Sequence, residues 1–253
     1  MQDPTIVPAL SLVIPAYNEV KRLPASLRDV RSFFSKWPES SIEVLVMIEK
    51  SSDGTLDAAR SAVAGDSRFQ VIDNLVHRGK GFAVKSGMLR ARGELVFFMD
   101  ADLSTPLSEI LKFAAHFSDH PETSVVIGSR SDAKSEVLKR QKWFRQSLGR
   151  GFNKFVQAFG IAGIKDTQCG FKAFRAKACR EIFSRQTLDG FAFDVEVLLL
   201  ASRLGFKTDV RPVVWINSPD SKVRVLIDPL KMLWDLIRIR RRVSKTLKAI
   251  PYA

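Results

Sequence analysis

Glu94-Leu95-Val96-Phe97-Phe98-Met99-Asp100-Ala101-Asp102-Leu103-Ser104-Thr105-Pro106 is the stretch on which the fold turns. Its first half is a short, continuously apolar run of the kind that fills a strand buried on both faces, and such strands belong to parallel sheets covered by helices. The run stops at two carboxylates one residue apart, and a turn follows. In an extended chain Asp100 and Asp102 point to the same side. Hard oxygen donors so placed suit Mg²⁺ or Mn²⁺, with a diphosphate completing the shell. The plainer reading is a solvated turn at a strand's end, because turns are rich in Asp.

Upstream, Leu10-Ser11-Leu12-Val13-Ile14 predicts a strand stopped by Pro15, then Ala16-Tyr17-Asn18-Glu19 a loop, then a helix on which Leu23, Leu27, Val30 and Phe34 recur. Residues 42–48 read as a second buried strand. Ser51-Ser52-Asp53-Gly54-Thr55 supplies turn and N-cap chemistry for a helix over 55–64. Phe69-Gln70-Val71-Ile72 gives a third strand, His77-Arg78-Gly79-Lys80-Gly81 a glycine-rich turn, and 82–92 a helix leading into the quoted stretch. Strands alternating with helices predict an α/β fold with a mostly parallel, doubly wound sheet flanked by helices, whose ligands bind beyond the strands' carboxyl ends. Residues 15–19, 49–53, Lys80 and 100–102 all fall on that rim. Downstream, Leu107, Ile110, Leu111 and Ala114 predict a helix, and Ser124-Val125-Val126-Ile127 a strand ending in Gly128-Ser129-Arg130. Residues 131–150 form a polar, cation-rich segment, read as a solvated face or a loop over an anionic substrate. Asp166-Thr167-Gln168-Cys169-Gly170-Phe171 is turn-like, Phe191-Ala192-Phe193-Asp194-Val195-Glu196 opens an apolar helix running to Arg203, and 210–216 is a last strand.

The chain has 253 residues, 45% of them apolar, enough for one sheet domain over 1–225 with a tail over 226–253. Lys and Arg number 40 against 27 Asp and Glu, a net charge of +13 that calls for an anionic partner. In the tail, Leu230, Leu233, Trp234 and Ile237 share a helical face, and Lys231, Arg238, Arg240, Arg241, Arg242, Lys245 and Lys248 surround it. This basic amphipathic helix suits an anionic membrane surface, or else packs on the sheet domain with a solvated edge. Nucleic acid is disfavoured, because the cations are not interleaved with stacking aromatics and no nucleic-acid motif occurs. Cys169 and Cys179 have neither metal-ligand spacing nor a disulfide framework, and read as small buried residues in a reducing compartment. No apolar segment has the ~18 residues of a spanning helix, and the start lacks signal-peptide character, so the expectation is a cytoplasmic protein or one peripheral on a membrane's inner face.

Val13-Ile14-Pro15-Ala16-Tyr17-Asn18-Glu19, Ser51-x-Asp53-Gly54-Thr55, Gly79-Lys80-Gly81 and Asp100-Ala101-Asp102 resemble, in order and spacing, the inverting family 2 glycosyltransferases of the GT-A (Rossmann-like) fold. Asp166-Thr167-Gln168-Cys169-Gly170-Phe171-Lys172, Phe191-Ala192-Phe193-Asp194-Val195-Glu196 and Ser221-Lys222-Val223 look more narrowly like the branch that glucosylates dolichyl phosphate, with its prokaryotic relatives. The resemblance runs over residues 10–240. It implies a nucleotide-sugar donor held by Pro15, Tyr17, Glu19, Glu49, Lys80, Asp100, Ala101 and Asp102. It further implies Mg²⁺ or Mn²⁺ on Asp100 and Asp102, an acceptor phosphate met by Arg130, Arg145, Arg150 and Lys222, and catalytic roles for Asp166, Asp194 and Arg130. Ile48-Glu49 stands where the family usually has an Asp-Asp pair that recognises base and ribose, and Lys50 replaces a small residue.

The implied reaction is glucose transfer from UDP-glucose to a polyprenyl or dolichyl phosphate. A lipid phosphate is already ionised at neutral pH, so it attacks the anomeric carbon without a strong base, and positioning and leaving-group stabilisation carry the rate. Such a site is poor in histidine, and His77, His116 and His120 read as solvated. GDP-mannose is the alternative donor. A nucleotide-sugar-binding protein with impaired turnover is the alternative that Ile48-Glu49-Lys50 keeps open.

Overall fold

Alternate residues of the apolar runs go to opposite faces of the sheet, and that alternation builds two cores. In the computed structural model, which describes residues 7–139 and 163–216 together with Asp235 and Ile239, Leu12, Ile14, Val44, Val46, Phe97 and Met99 pack on one face. Val13, Leu45, Met47, Val96 and Phe98 pack on the other. Burying each of Phe97 and Phe98, both fully enclosed, contributes on the order of 2–3 kcal/mol.

The elements follow in order: β1 (Leu10–Ala16), α1 (Leu23–Phe33), β2 (Ile42–Ile48), α2 (Thr55–Ala62), β3 (Phe69–Asp73), α3 (Lys80–Arg90), β4 (Leu95–Met99), α4 (Ser108–Asp119) and β5 (Val125–Ser129). Then come β6 (Glu136–Lys139), β7 (Phe171–Arg175), α5 (Ala176–Arg185), α6 (Phe193–Arg203), β8 (Thr208–Pro212) and β9 (Val214–Ile216). Seven strands form one sheet in the order β3-β2-β1-β4-β7-β5-β8, and β6 pairs with β9 in a separate ribbon. The pairs β1–β2, β1–β4, β2–β3 and β5–β8 are parallel, whereas β7 runs antiparallel between β4 and β5. This is the mostly parallel, helix-flanked sheet of the GT-A class. Helices α1, α2 and α4 cover one face and α3, α5 and α6 the other. Ile239 is buried in the second core, so at that point the chain's end packs on the sheet domain. Apart from Asp235 and Ile239, the basic tail, with the proposed division at 226, lies outside the described residues.

Four expectations need correction. Pro15 does not stop β1, which continues to Ala16: β4 pairs with it only as far as Val13, so the proline's missing N–H falls where one edge is open. Residues 210–216 are two strands, because after Pro212 the chain leaves β5 and crosses to β6. Part of the cation-rich segment is β6. The strand β7 and helix α5 come in addition to the expected elements. Lys172 and Arg175 interrupt the apolar run of β7, yet Lys172 is buried because its charge is met inside the protein. Helix α5 carries a legible stripe, Ala178, Cys179, Ile182 and Phe183, all buried.

Candidate active site

The loops after β1 and β2 are fastened to each other by short polar side chains. Asn18 N–H donates to Ser51 Oγ (3.0 Å), Ser52 N–H to Asn18 Oδ1 (2.9 Å), Glu19 N–H to Thr55 Oγ1 (2.7 Å) and Val20 N–H to Asp53 Oδ2 (3.2 Å). Burial pushes the Asp53 carboxyl up, but its bonds from Thr55 and Val20 outweigh that and hold it below the ordinary carboxylate range. The Ser-x-Asp-Gly-Thr motif is thus the scaffold on which Tyr17 and Glu19 are displayed.

Tyr17 stacks on His77 with ring centroids 3.7 Å apart and planes 8° from parallel. His77 Nδ1 lies 2.6 Å from Glu49 Oε2, and Glu49 Oε1 accepts the N–H groups of Arg78 (3.0 Å) and Gly79 (2.8 Å). Glu49, almost fully buried, is therefore the anchor of the β3–α3 loop. Glu19 bonds Arg22, whose Nη1 approaches Asp102 Oδ2 at 3.9 Å.

Lys80 opens α3 and its Nζ sits 2.6 Å from Asp100 Oδ1. The glycines beside it are required by close approach. Gly79 has φ 126°, and a Cβ there would meet Asp189 O at 2.6 Å; one at Gly81 would meet Leu188 O at 2.5 Å. The 188–193 segment thus packs on the start of α3 and holds Lys80 over the carboxylates. Burial alone would lower the Lys80 ammonium, but Asp100, Asp194 and Asp102 together hold it above the usual lysine value.

Two further ion pairs lie deeper. Arg130, at the end of β5, donates to Asp166 through its backbone N–H (2.9 Å), Nε (2.8 Å) and Nη2 (2.7 Å) and lies over the Trp215 ring. Burial raises the Asp166 carboxyl, yet the guanidinium wins and holds it below the ordinary range, while Asp166 holds Arg130 up despite its burial. Lys172 Nζ donates to Cys169 O (2.6 Å) and Asp194 Oδ1 (2.5 Å). Asp194 is held above the ordinary range, because its burial outweighs Lys172 and Lys80.

The rim thus brings together Tyr17 with Glu49 through His77, Glu19 with Asp102 through Arg22, and Lys80 with Asp100 and the charge of Asp194. Arg130 and Asp166 form a pair of their own, close enough for Asp100 to raise the guanidinium. Pro15 and Ala101 are buried. Arg145, Arg150 and Lys222 lie outside the described residues. Glu196 accepts from Thr187 and Leu188 and secures that turn. Lys172, His77 and Arg22 are the residues that sequence reasoning missed: each acts through a partner distant in the chain or one helical turn away. His116 is not solvated: it is buried and its Nε2 lies 2.8 Å from Asp209 Oδ2. His77 is half-exposed and stacked. Cys169 and Cys179 are buried as expected, and burial pushes the Cys169 thiol up to about 11.

Among the described residues no group of three or more His, Cys, Asp or Glu side chains is placed to hold a metal alone. Asp100 and Asp102 supply carboxylate oxygens of the kind a hard divalent cation takes, and the rest of its shell would come from elsewhere. Gly170 keeps the space at Asp100 open, since a Cβ there would come within 2.0 Å of Oδ2.

The family model described as Glycosyl transferase family 2 matches residues 11–183. A dolichyl-phosphate beta-glucosyltransferase of Trichomonas vaginalis is 35% identical over 244 residues, 94% of this chain and 74% of that protein. The Saccharomyces cerevisiae protein of the same name is 35% identical over 246 residues, covering 91% and 74%; the human one is 33% identical over 243, covering 92% and 75%. Among solved structures, mannosyl-3-phosphoglycerate synthase from Rubrobacter xylanophilus matches with a TM-score of 0.66 at 16% identity, over 98% of this chain and 77% of that one. Mycobacterium tuberculosis glucosyl-3-phosphoglycerate synthase with Mn²⁺, UDP-glucose and glycerol 3-phosphate matches with a TM-score of 0.59 at 19% identity, over 97% and 82%. At those identities the likeness to the two synthases is one of fold.

Proposed function

The chain belongs to glycosyl transferase family 2, and from that premise we propose that it transfers glucose from UDP-glucose to a dolichyl or other polyprenyl phosphate, inverting the anomeric carbon. It is a glycosyltransferase. The observation that carries the reading is the rim itself: paired carboxylates at the end of β4, with Lys80 and Arg22 on them and the Arg130–Asp166 pair nearby, in a chain similar over nine-tenths of its length to dolichyl-phosphate beta-glucosyltransferases.

In this reading the donor enters between the loops after β1 and β2 and the His77–Gly79 end of the β3–α3 loop, with the base at Tyr17 and the diphosphate at Lys80, Asp100 and Asp102. Asp100 and Asp102 would hold Mg²⁺ or Mn²⁺, which neutralises charge on the departing diphosphate. Lys80 adds a second positive charge beside the same oxygens. Arg130, held straight by Asp166, presents its remaining donors to the acceptor phosphate. An oxygen of that phosphate forms the new bond to the anomeric carbon as the bond to UDP breaks, and its electron pair leaves on the diphosphate. The attacking oxygen carries no proton at neutral pH, so no general base is needed, and the buried, uplifted Asp194 serves to hold Lys80 instead. In this reading the protein works peripherally at the cytosolic face of a membrane, where a nucleotide-sugar donor and a membrane-embedded acceptor would meet. Among the described residues no helix is long and apolar enough to cross a membrane.

The test is glucose transfer to polyprenyl phosphate from UDP-glucose and, in parallel, mannose transfer from GDP-mannose, with Mn²⁺ and with chelator, for the parent and for Asp102→Asn. The expected result is metal-dependent transfer from the uridine donor alone, reduced roughly 10²-fold or more in the variant. Transfer only from GDP-mannose would change the donor. Absence of transfer alongside UDP-glucose binding would leave a nucleotide-sugar-binding protein.

A further inference from the structure

The turn after β3 is built in a way that its own packing does not explain. Leu75 sits at φ 58°, the left-handed region that asparagine and glycine adopt readily and that a branched side chain avoids. Nothing is regained by burial, because Leu75 is 73% exposed and Val76 beside it 43%. The backbone is nonetheless held firmly: Leu75 N–H donates to Asp73 Oδ1 (2.8 Å), and Val76 N–H to Asn74 O (2.7 Å). Lys50, exposed on the loop after β2, donates its N–H to Val76 O at 3.1 Å, and Lys21 is exposed on the loop after β1. The strand order β3-β2-β1-β4 sets these loops side by side on the rim that carries the active site.

We propose that Leu75 and Val76, with Lys50 beside them, are a membrane-contact point. The two apolar side chains enter the headgroup boundary of an anionic phospholipid surface while the lysine meets lipid phosphates. This rests on reading the acceptor as a lipid phosphate, since a rim that receives a membrane-embedded phosphate must lie against the bilayer. The +13 net charge favours the same anionic surface. One apolar pair and a few lysines give a weak, reversible contact, compatible with release after each turnover.

The test is flotation of the full chain with vesicles of phosphatidylcholine containing phosphatidylserine, without donor or acceptor. Leu75→Asn suits the left-handed backbone, so its Tm should match or exceed the parent's, while vesicle affinity falls about tenfold and the thermal shift given by UDP stays unchanged. Lys50→Glu should weaken binding to these vesicles and leave the smaller binding to pure phosphatidylcholine as it was. Leu75→Cys, labelled with an environment-sensitive fluorophore while the two buried native thiols stay unreactive, should report an apolar environment on vesicle addition. Unchanged flotation of Leu75→Asn, or a label indifferent to vesicles, overturns the proposal. A label that responds instead to protein concentration assigns the tip to a second copy of the chain and equally overturns it. Vesicle binding that depends on Leu75 in a protein without transfer to any lipid phosphate would refute the proposed acceptor and leave the surface standing.

Discussion

At Gly170 the absent side chain is the functional feature. A Cβ there would lie 2.0 Å from Asp100 Oδ2, and its backbone is not in the left-handed region, so alanine is refused by the carboxylate and not by the chain. The Asp100 side chain is flexible enough to swing aside. Gly170→Ala should therefore cost no more than about 1 kcal/mol of stability. Transfer should fall on the order of 10²-fold, the penalty for displacing a reacting-site group by about 1 Å. Unfolding curves and transfer rates on one preparation check this, and a variant that loses stability and activity in step would refute it. The same scale explains what residue types could not reveal: an isolated Gly170 reads as turn, and its neighbour Asp100 is seventy positions of sequence and one strand away.

Elements were legible where their own residues carry the signal. The runs of β1, β2 and β4 alternate between two cores, and Glu43 near the start of β2 is the one charge within them, so the parallel half of the sheet and its rim followed from pattern alone. The reversed strand β7 did not, because Lys172 looks like a surface residue until Asp194 and Cys169 O are seen around its ammonium. His116 escaped for the same reason, its partner Asp209 being on a strand that pairs last in the sheet. At this scale the Ser-x-Asp-Gly-Thr motif reads as a splice between two loops. Asp53→Ala removes the acceptor of Val20 N–H and of Thr55 N–H. Stability should drop by about 1–2 kcal/mol and UDP should bind several-fold more weakly, with Tyr17 and Glu19 no longer held in place. Calorimetric titration with UDP beside urea unfolding measures both. Weaker folding with unaltered UDP affinity would show that the splice does not organise the donor loops.

Over the whole molecule, the depressed carboxyls set how the fold responds to acid. Asp53, Asp66, Asp166 and Asp209 stand on four different segments, and each is held below the ordinary range. For Asp66 the cause is the Arg68 side chain; for the other three, hydrogen-bond donors or a guanidinium outweigh burial. A carboxyl whose folded value lies below its unfolded value near ~3.9 binds fewer protons folded than unfolded. Its stabilisation is complete above about pH 5 and is lost as pH falls through the folded value. Stability should therefore be level with respect to these groups from neutral pH to about pH 5. Below about pH 4 it should fall steeply, by up to ~1.4 kcal/mol per pH unit for each extra proton taken up on unfolding. Protonation also adds to a net charge already at +13, so repulsion acts in the same direction. Arg68 and Arg130 stay charged throughout, so the loss belongs to the carboxyls. The double variant Asp166→Asn with Arg130→Gln, which removes one depressed carboxyl without stranding its partner, should have a shallower acid limb than the parent. Urea midpoints from pH 7 to pH 3 measure the slope, and parallel acid limbs for the two proteins would mean that the Asp166–Arg130 pair takes no part in it.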